Sequence, residues 1–223
     1  RQLSKRMKFP TSKLATELLS GLSGIEIGGS AHNSFDLDTK NVDYTDEFTI
    51  FKEEEVKLCG EYMPVDIVSY GDNLPLKDES QDFVISSHVI EHFWSPITAI
   101  KEWHRVTKEG GYVFIIAPHK LRTFDKDRPI TYAKELMERE GKPTPETHNP
   151  HRHWSVWDTK SFVELCQMMN WNIHTVQDID DKVGNGFTVV LKKSEAASKP
   201  DLIAWARLKW AATLRIVGAR SRA

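Results

Sequence analysis

The stretch that decides the fold is SGIEIGGSAHNSFDLDTKNVDY, residues 23–44. The short apolar segment GIEI enters a turn at Gly28 and Gly29, and a second short strand, KNVDY, brings Asp43 to its end. A strand that ends at a glycine turn lets backbone N–H groups approach a ligand closely. An acidic residue at the end of the next strand can accept hydrogen bonds from both hydroxyls of a ribose. The stretch therefore predicts a nucleoside site.

The same stretch departs from the dinucleotide-binding fingerprint in two ways. Asp43 lies fifteen residues beyond Gly28, which is shorter than the spacing of about 20 in that fingerprint. The glycines are also too few, and His32 and Asn33 stand where small residues are expected. Taken alone, such a turn is weak evidence, because a tight strand-to-helix turn that binds no ligand has the same pattern; the interpretation therefore depends on the rest of the chain.

The other segments alternate between helical and extended patterns. PTSKLATELLSGLSG, SPITAIKEWHRVT (with Ser95 as N-cap and Pro96 at the first helical position) and TKSFVELCQMMN predict helices. Further strands are predicted in VDIVSYGD, DFVISSHVI, YVFIIAP, WNIHTVQDI and GFTVVLKK. The last two are joined by a short Gly-Asn-Gly connection, which favours antiparallel pairing. The order predicts a three-layer α/β fold with a seven-stranded, mostly parallel sheet and one antiparallel strand.

Five motifs occur in a specific order: GIEIGGS, NVDY, GDNLPL, DFVISSHVIEHF and RVTKEGGYVFIIAP. In this order, residues 21–193 resemble the class I S-adenosylmethionine-dependent methyltransferases, in the group with a methyltransferase type 11-like domain. The resemblance implies a Rossmann-like fold, S-adenosylmethionine as cofactor and methyltransferase activity.

The resemblance also implies which residues bind the cofactor. The first motif would surround the methionine part, Asp43 would bind the ribose, the turn after the third strand would border the adenine, and the end of the fourth strand would form the floor. The residues concerned are Glu26, Gly28, Gly29, Ser30, Asp43, Asp72, Asn73, Leu74, Ser87 and His88. Ser30 replaces a family glycine, but a serine is small enough for binding to be expected to survive.

Two histidines are the predicted catalytic residues. A sulfonium methyl group is already activated, so the protein mainly positions the acceptor, and a base of near-neutral pKa assists. His119 directly follows the strand IIAP, and His153 belongs to HNPHRHW together with His148 and His151. This histidine group could serve as a base or a substrate lid, could bind a metal, or could be simple loop structure. We predict no metal-binding residues in this chain.

Composition limits the alternatives. The 30 Lys and Arg residues nearly balance 32 Asp and Glu residues, so no global nucleic-acid footprint is present. The motif APHK stands where amino-directed nucleic-acid methyltransferases carry Asn/Asp-Pro-Pro-Tyr/Phe. Cys59 and Cys166 are far apart and predict neither a disulfide framework nor a zinc site, which favours the cytoplasm. No signal peptide and no apolar run of about 20 residues are expected.

We expect a methyltransferase domain over residues 1–195, with residues 119–157 as an insertion that shapes the acceptor site. Residues 196–223 predict a basic amphipathic helix, since six basic residues follow position 198 against Asp201 alone. That helix could dock on the domain, mediate self-association through a second subunit, or lie peripherally on an anionic membrane.

The sequence predicts methyl transfer to an oxygen or nitrogen of a small-molecule or saccharide acceptor. One alternative is a catalytically inactive module of the same fold, because Ser30 replaces a glycine. A second is a nicotinamide-dependent oxidoreductase, which the missing third glycine and the lack of a Tyr-x-x-x-Lys pair disfavour.

Overall fold

A sheet of seven strands forms the centre of the computed structural model, which describes residues 7–144 and 152–194. The strands are β1 (Ser23–Ile27), β2 (Asp38–Asp43), β3 (Ile67–Val68), β4 (Gln81–Ser87), β5 (Thr107–Pro118), β6 (Ile173–Gln177) and β7 (Gly186–Lys192). The helices are α1 (Lys13–Leu19), α2 (Ile50–Cys59), α3 (Pro96–Val106), α4 (Ala133–Arg139) and α5 (Thr159–Met168). The predicted helix at residues 196–223 lies outside the described residues.

The strand order is β3-β2-β1-β4-β5-β7-β6. Neighbours from β3 to β5 pair in parallel, and β7 runs antiparallel to both β5 and β6. This confirms the predicted seven-stranded, mostly parallel sheet with one antiparallel strand. The chain runs outward from β1 to β3 and then returns to β4, so the direction of winding reverses between β1 and β4.

The central strands are buried on both faces, as their continuous apolar runs predict. On one face, Val84 and Trp103 belong to a large cluster built with α3 and α5. On the other, Phe83 and Ile85 pack with Leu19 of α1. Successive side chains of β4 thus point to opposite faces, and helices cover both.

Helix α3 begins where the sequence indicates. The Ser95 hydroxyl accepts a hydrogen bond from Thr98 N, and Pro96 occupies the first turn, where its missing N–H costs nothing. The Trp103 indole donates to Gly71 O over 2.8 Å. This bond ties the helix to the loop after β3, which forms part of the site.

The connection from β1 to β2 is unusually short. Parallel strands normally need a crossover of a dozen or more residues, usually a helix, whereas residues 28–37 hold only a 3₁₀ turn at Ala31–Asn33. Phe35 from this connection is buried beside α1, which precedes β1 and covers that face of the sheet. The missing helix explains the short spacing from Gly28 to Asp43.

The predicted insertion contains 3₁₀ turns at Lys120–Arg122 and Phe124–Asp127, followed by α4. Helix α4 packs beside α3 and α5. In the described part of the chain, no helix has the length and apolarity needed to cross a membrane.

Candidate active site

A cavity of about 790 Å³ opens at the carboxyl ends of β1 and β4. In open α/β sheets, ligands bind in the crevice where the winding direction reverses. Its volume lies within the range of about 300–1,000 Å³ typical of small-molecule sites. The predicted cofactor residues that line it are Gly28, Gly29, Ser30, Asp43, Asp72, Ser87 and His88.

The glycine turn forms one wall of this cavity. Gly28 has φ +64°, a conformation that favours glycine, and a Cβ there would lie 2.8 Å from Val89 Cγ2. Gly29 N donates to Asn41 Oδ1 over 2.9 Å. A Cβ on Gly29 would lie 2.6 Å from Met63 Sδ. The backbone conformation thus favours glycine at position 28, and a side chain at position 29 would displace its neighbours; the two glycines keep the backbone open to a ligand.

Glu26 supports this turn from below and lies outside the cavity lining. Its side chain is buried, and its carboxyl carbon lies 2.9 Å from the position of a Cβ on Gly29. Burial raises the pKa of Glu26 to about 7, although the nearby Lys182 ammonium opposes the shift. Lys182 is itself buried and donates to Ser34 O over 2.5 Å. A buried acidic side chain and a buried basic side chain thus lie beneath the turn.

We predict that Glu26 makes stability fall between pH 5 and pH 8. The unfolded carboxyl ionises near its ordinary pKa of 4.5, whereas the folded one ionises near 7, so the unfolded state binds fewer protons over this range. The free energy of unfolding should fall by about 2 kcal/mol more in the wild type than in Glu26→Gln. Urea unfolding of both proteins at the two pH values measures this, and equal losses in both would contradict it.

Asp43 and Asp72 line the cavity from the ends of two different elements. Asp43 closes β2, and its Oδ1 accepts from Tyr44 N over 2.7 Å. Asp72 lies in the turn after β3. The structure does not bring Asn73 and Leu74 to the lining: Asn73 is exposed, and Leu74 is buried in the core with its N–H donating to Glu102.

Ser87 is the last residue of β4, and His88 directly follows it. The Ser87 hydroxyl accepts from Asn33 Nδ2 over 3.3 Å. His88 has φ +57°, a conformation that costs a non-glycine residue roughly 1–3 kcal/mol and often occurs at functional sites. Burial lowers the pKa of its imidazole, while the nearby Asp180 carboxylate opposes this. His88 is therefore a neutral wall of the cavity at neutral pH.

A second cavity, of about 410 Å³, adjoins the first and shares Trp94 and Trp154 with it. Cationic and acidic side chains surround those tryptophans. They are Arg128, Glu135, Glu138, Arg139, Lys142 and Arg152. The guanidinium carbons of Arg139 and Arg152 lie 4.6 Å and 3.9 Å from the ring centroids of Trp94 and Trp154, respectively. This cavity is polar and carries more positive than negative groups.

His153 lines the smaller cavity, and His92 lines the larger one. Their rings meet edge to face, with centroids 4.7 Å apart. His153 Nδ1 bonds to Asp125 Oδ2 over 2.7 Å, which leaves its Nε2 3.9 Å from Glu91 Oε1. Burial raises the pKa of Glu91 to about 8, and the negative charge of the neighbouring Asp125 carboxylate adds to this shift. The two cavities thus meet where the rings of His92 and His153 are in contact. His148 and His151 lie outside the described residues.

His119 lies outside both cavity linings. Its ring is mostly buried, its Nδ1 accepts from Leu121 N over 3.1 Å, and it packs edge to face on Phe187. Burial lowers its pKa, and Arg122 adds to that effect. These contacts favour a structural role in starting the insertion, and the predicted catalytic role of His119 stays a prediction.

Several lining residues escaped the sequence analysis. Phe51, Glu54, Glu55 and Leu58 come from α2, which was not predicted, and Val183 and Asn185 come from the connection between β6 and β7. Half of the residues of helix α2 are charged, and its apolar residues form no clear stripe, so the sequence signals for this helix lie at its two ends. Thr49 caps it, and Gly60, with φ +87°, terminates it. For the β6–β7 connection, the sequence predicts a hairpin turn but gives no sign that this turn lines a cavity.

Comparison with known proteins agrees with this geometry. Residues 27–115 match the family model of a methyltransferase domain. A stretch of 67 residues is 36% identical to a protein of Mycolicibacterium smegmatis called "Probable S-adenosylmethionine-dependent methyltransferase", covering 28% of this chain and 26% of that one. A Mycobacterium tuberculosis protein of similar name is also 36% identical, over 28% of this chain and 24% of its own. The match therefore spans about a quarter of the length of these curated relatives.

Solved structures share the fold. A methyltransferase from Thermotoga maritima, described as a "possible histamine N-methyltransferase", has a TM-score of 0.52 at 21% identity, with 81% of this chain and 86% of that chain covered. A protein from Pyrococcus horikoshii has a TM-score of 0.51 at 16% identity, with the same two coverages. The chain thus shares its fold with solved methyltransferase structures, and its residues 27–115 match a methyltransferase domain.

Proposed function

We propose that the protein transfers a methyl group from S-adenosylmethionine to an oxygen or nitrogen of a polar small-molecule or saccharide acceptor. The observation that carries the proposal is the pair of adjoining cavities that share Trp94 and Trp154. One has the features of a nucleoside site, and the other is polar and lies on the insertion side. Two ligands held side by side are what a direct transfer between them requires.

The residues present fit the cofactor in the larger cavity. The glycine turn keeps backbone groups close to the ligand, Asp43 at the end of β2 suits the ribose, and Asp72 suits the adenine edge. Ser87 and His88 close the floor. Bound S-adenosylmethionine supplies a methyl group already activated by its sulfonium, so this chain chiefly orients the two reactants and excludes water.

The smaller cavity fits an acceptor rich in hydroxyl or anionic groups. Arg128 and Arg139 are held in place by hydrogen bonds to His153 O and Trp154 O, respectively. A guanidinium fixed in this way can present its remaining donors to an oxygen-rich ligand. Trp94 and Trp154 supply flat apolar surfaces beside these cations, a combination that also suits a sugar ring.

His153 is the catalytic residue that this arrangement favours. Its bond to Asp125 fixes the ring orientation and directs Nε2 toward the boundary between the cavities. As a lining residue of the smaller cavity, His153 can contact an acceptor hydroxyl or amine bound there. If the protein is instead a catalytically inactive module of the same fold, it would bind the cofactor without transferring a methyl group.

A screen for S-adenosylhomocysteine formation tests the proposal. The purified protein is incubated with S-adenosylmethionine and sugars, sugar phosphates, hydroxy acids or amines, and product is quantified chromatographically. We expect one acceptor class to raise the rate well above the acceptor-free background, and Asp43→Ala to lose that increment. Tight cofactor binding without any acceptor-dependent product would favour the inactive module.

A further inference from the structure

Four imidazole and carboxyl groups converge at the boundary of the two cavities. Glu91 Oε1 lies 3.7 Å from His92 Nε2 and 3.9 Å from His153 Nε2. His88 Nδ1 is 4.0 Å from the same oxygen. The ligand atoms offered by Glu91, His92 and His153 all lie within 4.8 Å of one another.

These separations are too long for hydrogen bonds, which span about 2.7–3.2 Å between heavy atoms. They are close to the spacing of ligands around a common ion: with bonds of about 2.1 Å, two tetrahedral ligand atoms lie about 3.4 Å apart. A small contraction of the cluster would therefore let all three atoms bind one cation.

Glu91 gives independent support because its side chain is only 1% exposed. Its Oε2 is buried and makes no hydrogen bond to another residue in the described part of the chain. Buried carboxylates are normally paired with a cation or coordinate a metal. Neutral histidines at hydrogen-bonding distance would satisfy this oxygen, but the nearest imidazole nitrogens face Oε1 at longer range.

The surroundings match the outer shell of a metal site. Metal-binding histidines usually donate their second ring nitrogen to a carboxylate or carbonyl oxygen. His153 Nδ1 bonds to Asp125 Oδ2 over 2.7 Å, and His92 Nδ1 bonds to Arg152 O over 3.1 Å. Arg128 in turn holds the other Asp125 oxygen over 2.6 Å. Both imidazoles are thereby oriented with Nε2 toward Glu91.

We propose that Glu91, His92 and His153 bind a divalent transition-metal ion at the boundary of the cofactor and acceptor cavities. Two imidazoles and one carboxylate suit Zn²⁺, Co²⁺ or Fe²⁺ better than Mg²⁺ or Ca²⁺, which prefer oxygen ligands. Three protein ligands leave coordination positions for a ligand from the cavity, as in catalytic rather than structural sites.

Such an ion would activate the acceptor. This catalytic role rests on the proposed function, whereas the binding of the ion does not. An acceptor hydroxyl bound to the ion loses its proton to solvent more readily. Its oxygen then forms the bond to the methyl carbon, while the carbon–sulfur bond breaks with its electron pair on sulfur. The products are a methyl ether and S-adenosylhomocysteine.

Titration with Co²⁺ tests the site without cofactor or acceptor. The tag-free protein is stripped with chelator, dialysed and titrated while the visible absorption of Co²⁺ bound to nitrogen ligands is followed. We expect one saturating equivalent, displaced by Zn²⁺. The affinity should fall at least about tenfold in Glu91→Gln and in His92→Ala, and remain unchanged in the matched control His174→Ala on strand β6.

Absence of saturable Co²⁺ binding by the wild type would overturn the proposal. So would binding that persists undiminished in both Glu91→Gln and His92→Ala, since the ligands would then lie elsewhere. Circular dichroism of each variant checks folding, and Glu91→Gln keeps the side-chain volume. Because S-adenosylhomocysteine affinity is measured separately, failure of the metal site leaves the proposed methyl transfer open to its own test.

Discussion

Replacing His153 with alanine should lower the rate of methyl transfer by at least about 100-fold, the lower end of what a positioned acid or base contributes. The residue lies at the boundary of the two cavities, with Nδ1 fixed by Asp125. Loss of the imidazole removes the group nearest the incoming acceptor, whether it acts alone or as a metal ligand. The larger cavity lacks His153 in its lining, so S-adenosylhomocysteine affinity should change less than about twofold.

Single-turnover kinetics with saturating cofactor measure the first effect, and calorimetry measures the second. His174→Ala is the matched control, because His174 is exposed on β6 and lies outside both cavities. Full activity of His153→Ala would remove His153 from the reaction. Equal losses in both variants would indicate a general effect on folding.

Asp43→Ala should weaken S-adenosylhomocysteine binding about 30-fold, which corresponds to about 2 kcal/mol. Asp43 lines the larger cavity at the end of β2, where its carboxylate can accept from two ribose hydroxyls. Without it, those hydroxyls lose charge-assisted hydrogen bonds in a partly desolvated cavity. Calorimetric titration of both proteins gives the ratio of dissociation constants.

Asp38→Ala provides the control for Asp43→Ala. Asp38 begins the same strand and is exposed at its far end, so its loss should leave cofactor affinity unchanged. Unchanged affinity in Asp43→Ala as well would place the ribose elsewhere and contradict the assignment of this residue.

The sheet was predictable because its strands carry strong local signals. The runs in β4 and β5 are continuously apolar, and α3 begins with a serine cap and a proline. Helix α2 was missed because half of its residues are charged and its apolar residues form no clear stripe. That Leu74 borders the adenine stays a prediction; its side chain is buried in the core, and sequence order does not fix the direction of a side chain in a turn.

Only part of the candidate site could be predicted from the sequence. The glycine turn, Asp43 and Ser87 follow individual strands, and the parallel sheet brings the ends of those strands together. Glu91 and His153 are 62 residues apart, and no local pattern indicates that an insertion will fold back to bring them together. The catalytic role of His119 stays a prediction: the residue directly follows β5, and its Nδ1 accepts a hydrogen bond from Leu121 N.

Calorimetric titration of the purified protein with S-adenosylhomocysteine, with NAD titrated in parallel, tests the central claim most directly. The account predicts one site of micromolar affinity for S-adenosylhomocysteine and no measurable heat with NAD. Binding of NAD alone, or of neither ligand by a folded protein, would contradict it.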